Sequence, residues 1–168
     1  VNDKAFERLT GYLKGADIVV GGQYDQTERY ISPTVIDHVA ADAPIMREEI
    51  FGPIFPIITF DEIENAVHFI NEREKPLALY YFGDNKTAKY VLKHTSSGGA
   101  CVNDTIMHIA NEKLPFGGVG NSGMSSYHGK ESYNVFSHHR SVVITTTLFD
   151  IPFRYMPYKM FSLVKKLL

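Results

Sequence analysis

The sequence predicts an α/β chain built on a parallel sheet, and three observations predict it. Apolar, β-prone segments at residues 57–60, 77–82 and 100–102 alternate with two segments of helical periodicity. The connections are short and carry turn chemistry, at Gly83-Asp84-Asn85 and Gly98-Gly99. Strands joined through helices of this length need crossovers, and such crossovers make the strands parallel. In open sheets of this kind ligands sit beyond the carboxyl ends of the strands, here near residues 83–85 and after Val102.

The elements follow in order. Asn2 is a good N-cap, and Phe6, Leu9 and Leu13 recur at helical spacing until Gly15 stops the pattern. Ile18-Val19-Val20 reads as a short strand that breaks at Gly21-Gly22. Residues 30–39 form another extended segment, with Pro33 weakening its centre. Residues 42–56 read as a structured loop, because Pro44, Gly52, Pro53 and Pro56 leave too few backbone donors for a long helix or a central strand. A loop of that length in a compact chain is usually functional. Ile57-Ile58-Thr59-Phe60 is the next expected strand, and Asp61 the N-cap of a helix that turns Ile63, Ala66, Val67, Phe69 and Ile70 inward. A strand at 77–82, a helix at 86–94 presenting Ala88, Val91 and Leu92, and the strand Ala100-Cys101-Val102 complete the α/β part.

The texture then changes. Residues 115–123 are glycine-rich and read as a tight backbone wall passing close to a pocket, with Phe116 its one large apolar side chain. A helix around 130–136 precedes a β-prone stretch at 141–147, where Val142, Ile144 and Thr146 alternate with Val143, Thr145 and Thr147. A strand so far from the α/β core is expected to pair with something else. Residues 157–168 read as an apolar helix face flanked by Lys159, Lys165 and Lys166. That face could rest on a lipid surface, although docking on protein is commoner.

Composition excludes several classes. The chain has 168 residues, 44% hydrophobic and 21% charged, which is globular and neither disordered nor collagen-like. The net charge is −2 and no basic cluster exceeds Lys165-Lys166, so nucleic acid is not an expected partner. Seven histidines occur without metal-ligand spacing, so no metal site is expected. A single cysteine, Cys101, forms no internal disulfide and is compatible with a cytoplasmic setting. There is no apolar run of about 18 residues. The opening at Val1-Asn2-Asp3, without Met, reads like the middle of a longer protein.

Three groups of residues invite a chemical reading. Glu48-Glu49-Ile50-Phe51-Gly52-Pro53 places two carboxylates beside an aromatic in a loop, and a carboxylate can accept two ribose hydroxyls while an aromatic packs on a ring. The residues alone favour a solvated acidic turn there. Asn103-Asp104 follows a strand, where a sheet exposes ligand-facing groups, and Asn-Asp is also ordinary turn chemistry. Cys101 with His108 could form a thiol nucleophile and base, but a small buried side chain in a strand is the plainer reading.

Taken together, several motifs resemble the aldehyde dehydrogenase superfamily. They are Glu48-Glu49-Ile50-Phe51-Gly52-Pro53, Arg73-Glu74-Lys75-Pro76-Leu77-Ala78-Leu79-Tyr80, Ser96-Ser97-Gly98-Gly99, Asn103-Asp104, residues 114–124, and Tyr127-His128-Gly129-Lys130. The last two, with Ser137-His138-His139-Arg140-Ser141, look like class 3, the fatty aldehyde type. The matches keep family order across residues 1–147.

The resemblance implies a Rossmann-like catalytic sheet over residues 1–137 and a bridging strand over 138–149, and residues 150–168 beyond it read as a helical tail. It implies NAD or NADP as cofactor, with Glu49 holding the nicotinamide ribose and Phe51 packing at that end. Asn103, Ile106, His108 and Phe116 would border the substrate pocket, and residues 141–147 would join a partner subunit's sheet in a homodimer. The family's nucleophile lies in a Gly-Gln-x-Cys segment upstream of the Glu-Ile-Phe-Gly-Pro loop, and its general-base glutamate and oxyanion asparagine lie upstream too. No such segment occurs here, so no catalytic residue is expected in this chain. The readings left open are a segment of an aldehyde-oxidising enzyme, a non-catalytic binding or assembly module, and a thiol hydrolase using Cys101 and His108.

Overall fold

A computed structural model describes residues 2–150, 156–157 and 161–166. Helix α1 (Asp3–Tyr12) starts as the sequence predicts, because the Asn2 side chain accepts the Ala5 N–H at 2.9 Å and satisfies a free first-turn donor. Its Phe6 and Leu9, with Leu13 just beyond, share a buried core with Ile31, Ile36, Ile45 and Ile54.

That core backs a small mixed sheet. β1 (Asp17–Val20) runs antiparallel to β4 (Thr34–Asp37), and β5 (Ile54–Pro56) runs parallel to β4 with Thr34 opposite Ile54. β2 (Tyr24–Asp25) and β3 (Tyr30–Ile31) pair antiparallel between them. Pro33, which has no backbone donor, separates β3 from β4.

The strand expected at residues 57–60 lies three residues earlier, as β5. The Thr34 N–H donates to Pro53 O at 2.8 Å and fixes the register, so pairing begins at Ile54. β4 ends at Asp37, since His38 takes φ 50° and turns the chain away. The Ile57 N–H still reaches Ile36 O at 2.9 Å, and residues 58–60 lie outside the strand. Glu62, not Asp61, is the N-cap of helix α2 (Ile63–Asn71), and it caps without a side-chain bond.

In the second unit β6 (Ala78–Tyr81) and β7 (Gly99–Val102) pair in parallel across helix α3 (Asn85–His94). Asp84 caps α3 by accepting the Lys86 and Thr87 N–H groups, each at 2.9 Å. The bond from Thr87 leads in holding its carboxyl below the ordinary range. Val67 of α2 and Val91 of α3 bury against Leu79 of β6. Each such burial stabilises by roughly 2 kcal/mol. Leu92, expected on the apolar side, faces outward.

The parallel pairing expected from the alternation is present, but in two pieces. Among the described residues β4–β5 and β6–β7 are not hydrogen-bonded to each other, so the expected continuous sheet is absent. Parallel strands normally belong to larger sheets covered on both faces.

Beyond β7 come helix α4 (Met107–Ala110), a 3-10 turn at Gly120–Ser122, and helix α5 (Gly129–Phe136). The expected strand at 141–147 is not a strand in this single chain. No backbone–backbone bond holds it among the described residues, and Val142, Val143 and Ile144 are all exposed. Strand structure needs a ladder partner, which one copy does not supply. Helix α6 (Phe161–Val164) lies within the tail, and of its expected apolar face Met160, Leu167 and Leu168, with the side chains of Leu163 and Val164, lie outside what is described.

Candidate functional site

The loop between the 3-10 turn Pro44–Met46 and β5 separates the two adjacent carboxylates. Glu48 is tied down: its Oε1 accepts the Tyr12 hydroxyl at 2.5 Å and lies 3.4 Å from Arg8 Nη1. The Tyr12 bond, with help from the Arg8 charge and against burial, holds the Glu48 carboxyl below its ordinary range. Glu49 is exposed, and among the described residues its carboxylate has no hydrogen bond or ion pair. Phe51 is 82% exposed and holds φ 46°, a left-handed conformation that costs a bulky L-residue about 1–2 kcal/mol. A free carboxylate and a presented ring therefore stand two residues apart.

Asn103 lies just past β7 with φ 56°, and its amide bonds Gly83 at the end of β6. Ile106 holds φ 64° and is 60% exposed. A β-branched residue in the left-handed region is a true outlier, and strain of this kind concentrates at functional sites. Both residues lie beyond the carboxyl ends of β6 and β7.

His108 lies elsewhere, buried against the sheet. Its Nδ1 is 3.3 Å from Cys101 Sγ, and its Nε2 is buried without a partner among the described residues. Tyr80 meets its ring edge-on at 5.7 Å, and Phe116 lies at 5.8 Å. Phe116 in turn stacks on His128 at 5.9 Å and pairs with Tyr127 through two backbone bonds of 2.9 Å. His128 Nδ1 is also buried and has no partner among the described residues. An open cleft of about 430 Å³ beside Phe116 is lined by Leu77, Gly117, Met124, Tyr127 and Phe136. The glycine-rich stretch packs tightly here, since a Cβ on Gly98 would fall 2.2 Å from Gly117 O and 2.7 Å from Leu77 O.

The structure thus brings Glu49 and Phe51 onto one loop, Asn103 and Ile106 onto one strand end, and His108 against Phe116. Sequence reasoning passed over Arg8, Tyr12, Tyr80 and His128. Arg8 and Tyr12 had a local signal, a polar pair at i and i+4 beside an apolar stripe. Tyr80 and His128 had none beyond lying within longer motifs.

Residues 1–142 match the aldehyde dehydrogenase family. The chain belongs to that family. The chain is 49% identical to 4,4'-diaponeurosporen-aldehyde dehydrogenase of Staphylococcus aureus, over 95% of this chain and 35% of that protein. It is 50% identical to the dimeric, NADP-preferring aldehyde dehydrogenase of Rattus norvegicus, over 88% of this chain and 33% of that one. The fold superposes on the substrate-bound state of Staphylococcus aureus AldH with a TM-score of 0.83 and 48% identity, covering 99% of this chain and 37% of that structure. The chain therefore spans about a third of the length of these aldehyde dehydrogenases.

Proposed function

We propose that this chain is the C-terminal portion of a class 3 aldehyde dehydrogenase that oxidises aldehydes to carboxylic acids with NAD or NADP. The observation that carries the reading is the exposed, unpartnered Glu49 carboxylate beside the presented ring of Phe51. The donor set suits a nicotinamide ribose. Glu49 accepts the two ribose hydroxyls in charge-assisted bonds, each contributing about 1.5–3 kcal/mol, and Phe51 packs at that end of the cofactor. When bound, the nicotinamide supplies the hydride acceptor. No residue of this chain is assigned the nucleophile, the general base or the oxyanion donor, and sequence outside these 168 residues supplies them in this reading.

Asn103, Ile106, His108 and Phe116 contribute to the substrate side. Asn103 and Ile106 line the crevice at the strand ends, while His108 supports Phe116 from behind. Residues 1–137 belong to the catalytic domain, 138–149 form the bridge between two copies, and 150–168 form the tail, in a cytoplasmic homodimer. The dimeric NADP-preferring relative supports the last assignment.

A second reading, a thiol hydrolase, draws on the 3.3 Å contact of Cys101 with His108. Among the described residues no acid orients His108 Nε2, and Cys101 sits within β7 rather than at a helix N-terminus, so the pair lacks an activated nucleophile's usual support. Rapid alkylation of Cys101 by iodoacetamide in the folded chain is what that reading requires.

The deciding experiment is to replace Glu49 by Gln in the full-length enzyme and follow nicotinamide reduction with an aliphatic aldehyde. A fall of about ten-fold or more in the hydride-transfer rate, with folding intact, is expected. An unchanged rate removes Glu49 from the site.

A further inference from the structure

Helix α1 grips the Glu48–Phe51 loop through three side chains. Arg8 Nη2 donates to Ile50 O at 2.7 Å, and Nη1 donates to Glu49 O at 3.4 Å. The same Nη1 donates to the Tyr12 hydroxyl at 3.0 Å, and that hydroxyl donates to Glu48. One turn of helix brings Arg8 and Tyr12 to the same face. Leu9, between them and 1% exposed, touches the loop from below, since a Cβ on Gly52 would fall 2.6 Å from its Cδ1.

The bonds from Arg8 fall on consecutive carbonyls, those of residues 49 and 50. Fixing both carbonyls restrains the peptide planes on either side of Ile50, the one that leaves Glu49 and the one that enters Phe51. The left-handed φ of Phe51 comes immediately after, and such a conformation persists only where its surroundings over-determine it. The Arg8 side chain is 28% exposed, so its bonds are partly shielded from water. A lysine offers a single point of charge instead of two divergent donors on a planar fork, and cannot hold both carbonyls in the same way.

We propose that Arg8 is a positioning residue for Glu49. It touches neither cofactor nor substrate, and acts by holding the loop backbone so that the Glu49 carboxylate faces the ribose and Phe51 keeps its strained, presented conformation. This rests on the assignment of Glu49 to the ribose. Tyr12 plays a different part, drawing Glu48 onto α1 and leaving Glu49 as the free carboxylate of the pair.

The test is a double-mutant cycle in the full-length enzyme, with Arg8→Met, Arg8→Lys, Glu49→Gln and the double variant Arg8→Met with Glu49→Gln. The readouts are kcat/KM for the cofactor, single-turnover hydride transfer, and folded enzyme by circular dichroism. Displacing a binding group by about 1 Å costs on the order of 100-fold, so Arg8→Met is expected to lower kcat/KM by about 10- to 100-fold. Arg8→Lys should recover only part of this. In the Glu49→Gln background the same Arg8→Met change should cost less than about two-fold, because the group it positions is gone. A loss equal in both backgrounds shows that Arg8 acts by another route and overturns the proposal, as does an Arg8→Met enzyme of wild-type kcat/KM. If Arg8→Met fails to fold, Arg8→Lys carries the cycle by the same criteria. A silent Glu49→Gln marks a different failure, that of the ribose assignment, and removes the proposal with it.

Discussion

The side-chain amide of Asn103 closes a two-way bond with the backbone of Gly83: Oδ1 accepts the Gly83 N–H at 2.8 Å and Nδ2 donates to its carbonyl at 3.0 Å. The Asn103 N–H also reaches Tyr81 O at 2.7 Å, so one residue seals the carboxyl ends of β6 and β7 together. Asparagine suits the position twice over, because it tolerates φ 56° and carries both a donor and an acceptor. Asn103→Ala loses both bonds and adds left-handed strain, for an expected destabilisation of about 2–3 kcal/mol. Asn103→Gly keeps the backbone freedom and should lose less. Urea midpoints of the three chains check the order, and a Gly variant less stable than Ala contradicts it.

His38 bonds Asp17 through Nδ1 at 2.8 Å and lies 4.0 Å from Asp37, joining the start of β1 to the end of β4. The Asp17 hydrogen bond, then the charges of Asp37 and Asp17, raise the His38 pKa above its ordinary 6.5. A raised folded-state pKa means that the stabilisation is fully present below the unfolded value of 6.5 and is lost as pH rises through the folded value. The residue is exposed, so the effect is modest and weakens with salt. Replacing His38 by Asn, which tolerates φ 50°, should lower Tm at about pH 5.5 and leave it nearly unchanged at about pH 9. Equal shifts at both pH values would show that protonation of His38 contributes nothing.

Several features written in neighbouring residues are legible from sequence, although the cap of α2 falls at Glu62 and not Asp61, and features decided by distant partners are not. Asn2 caps the first helix because cap and helix are adjacent, and the spacing of Phe6, Leu9 and Leu13 names the buried face directly. The apolarity of residues 57–60 resembles a strand, whereas the register of β5 is set by Thr34 and ends at the His38 turn. Glu48 and Glu49 are equivalent in composition, and what divides them is a tyrosine 36 residues from Glu48. The resemblance selected Glu49 where residue chemistry alone favoured a solvated turn. No local rule anticipates the left-handed φ of Ile106, since propensity argues against it.

Residues 141–147 expose Val142, Val143 and Ile144 along a segment without backbone pairing among the described residues. An alternating β-prone segment of this kind seeks an edge, and the β6–β7 sheet offers unpaired edges. Sedimentation of the chain should therefore show weight-average mass rising with concentration. Ile144→Pro removes a backbone donor and fixes φ, and is expected to weaken the association at least ten-fold while leaving the two cores intact. Monomers at every concentration would remove this segment as an assembly strand.

Phe51 offers a test in which stability and function move apart. Its ring is 82% exposed, so burial returns little for the φ 46° that its backbone holds. Phe51→Gly removes the side-chain strain, about 1–2 kcal/mol, but adds chain entropy to the unfolded state, roughly 0.5–1 kcal/mol. The chain should come out between neutral and about 1.5 kcal/mol more stable in urea. If the ring packs at the nicotinamide end as proposed, the full-length enzyme loses cofactor affinity, and a KM for NAD or NADP raised about ten-fold is expected. Were Phe51 only an incidental surface ring, the same substitution would raise stability and leave KM where it was. The two measurements on one variant therefore separate a ring presented to a ligand from a purely structural one.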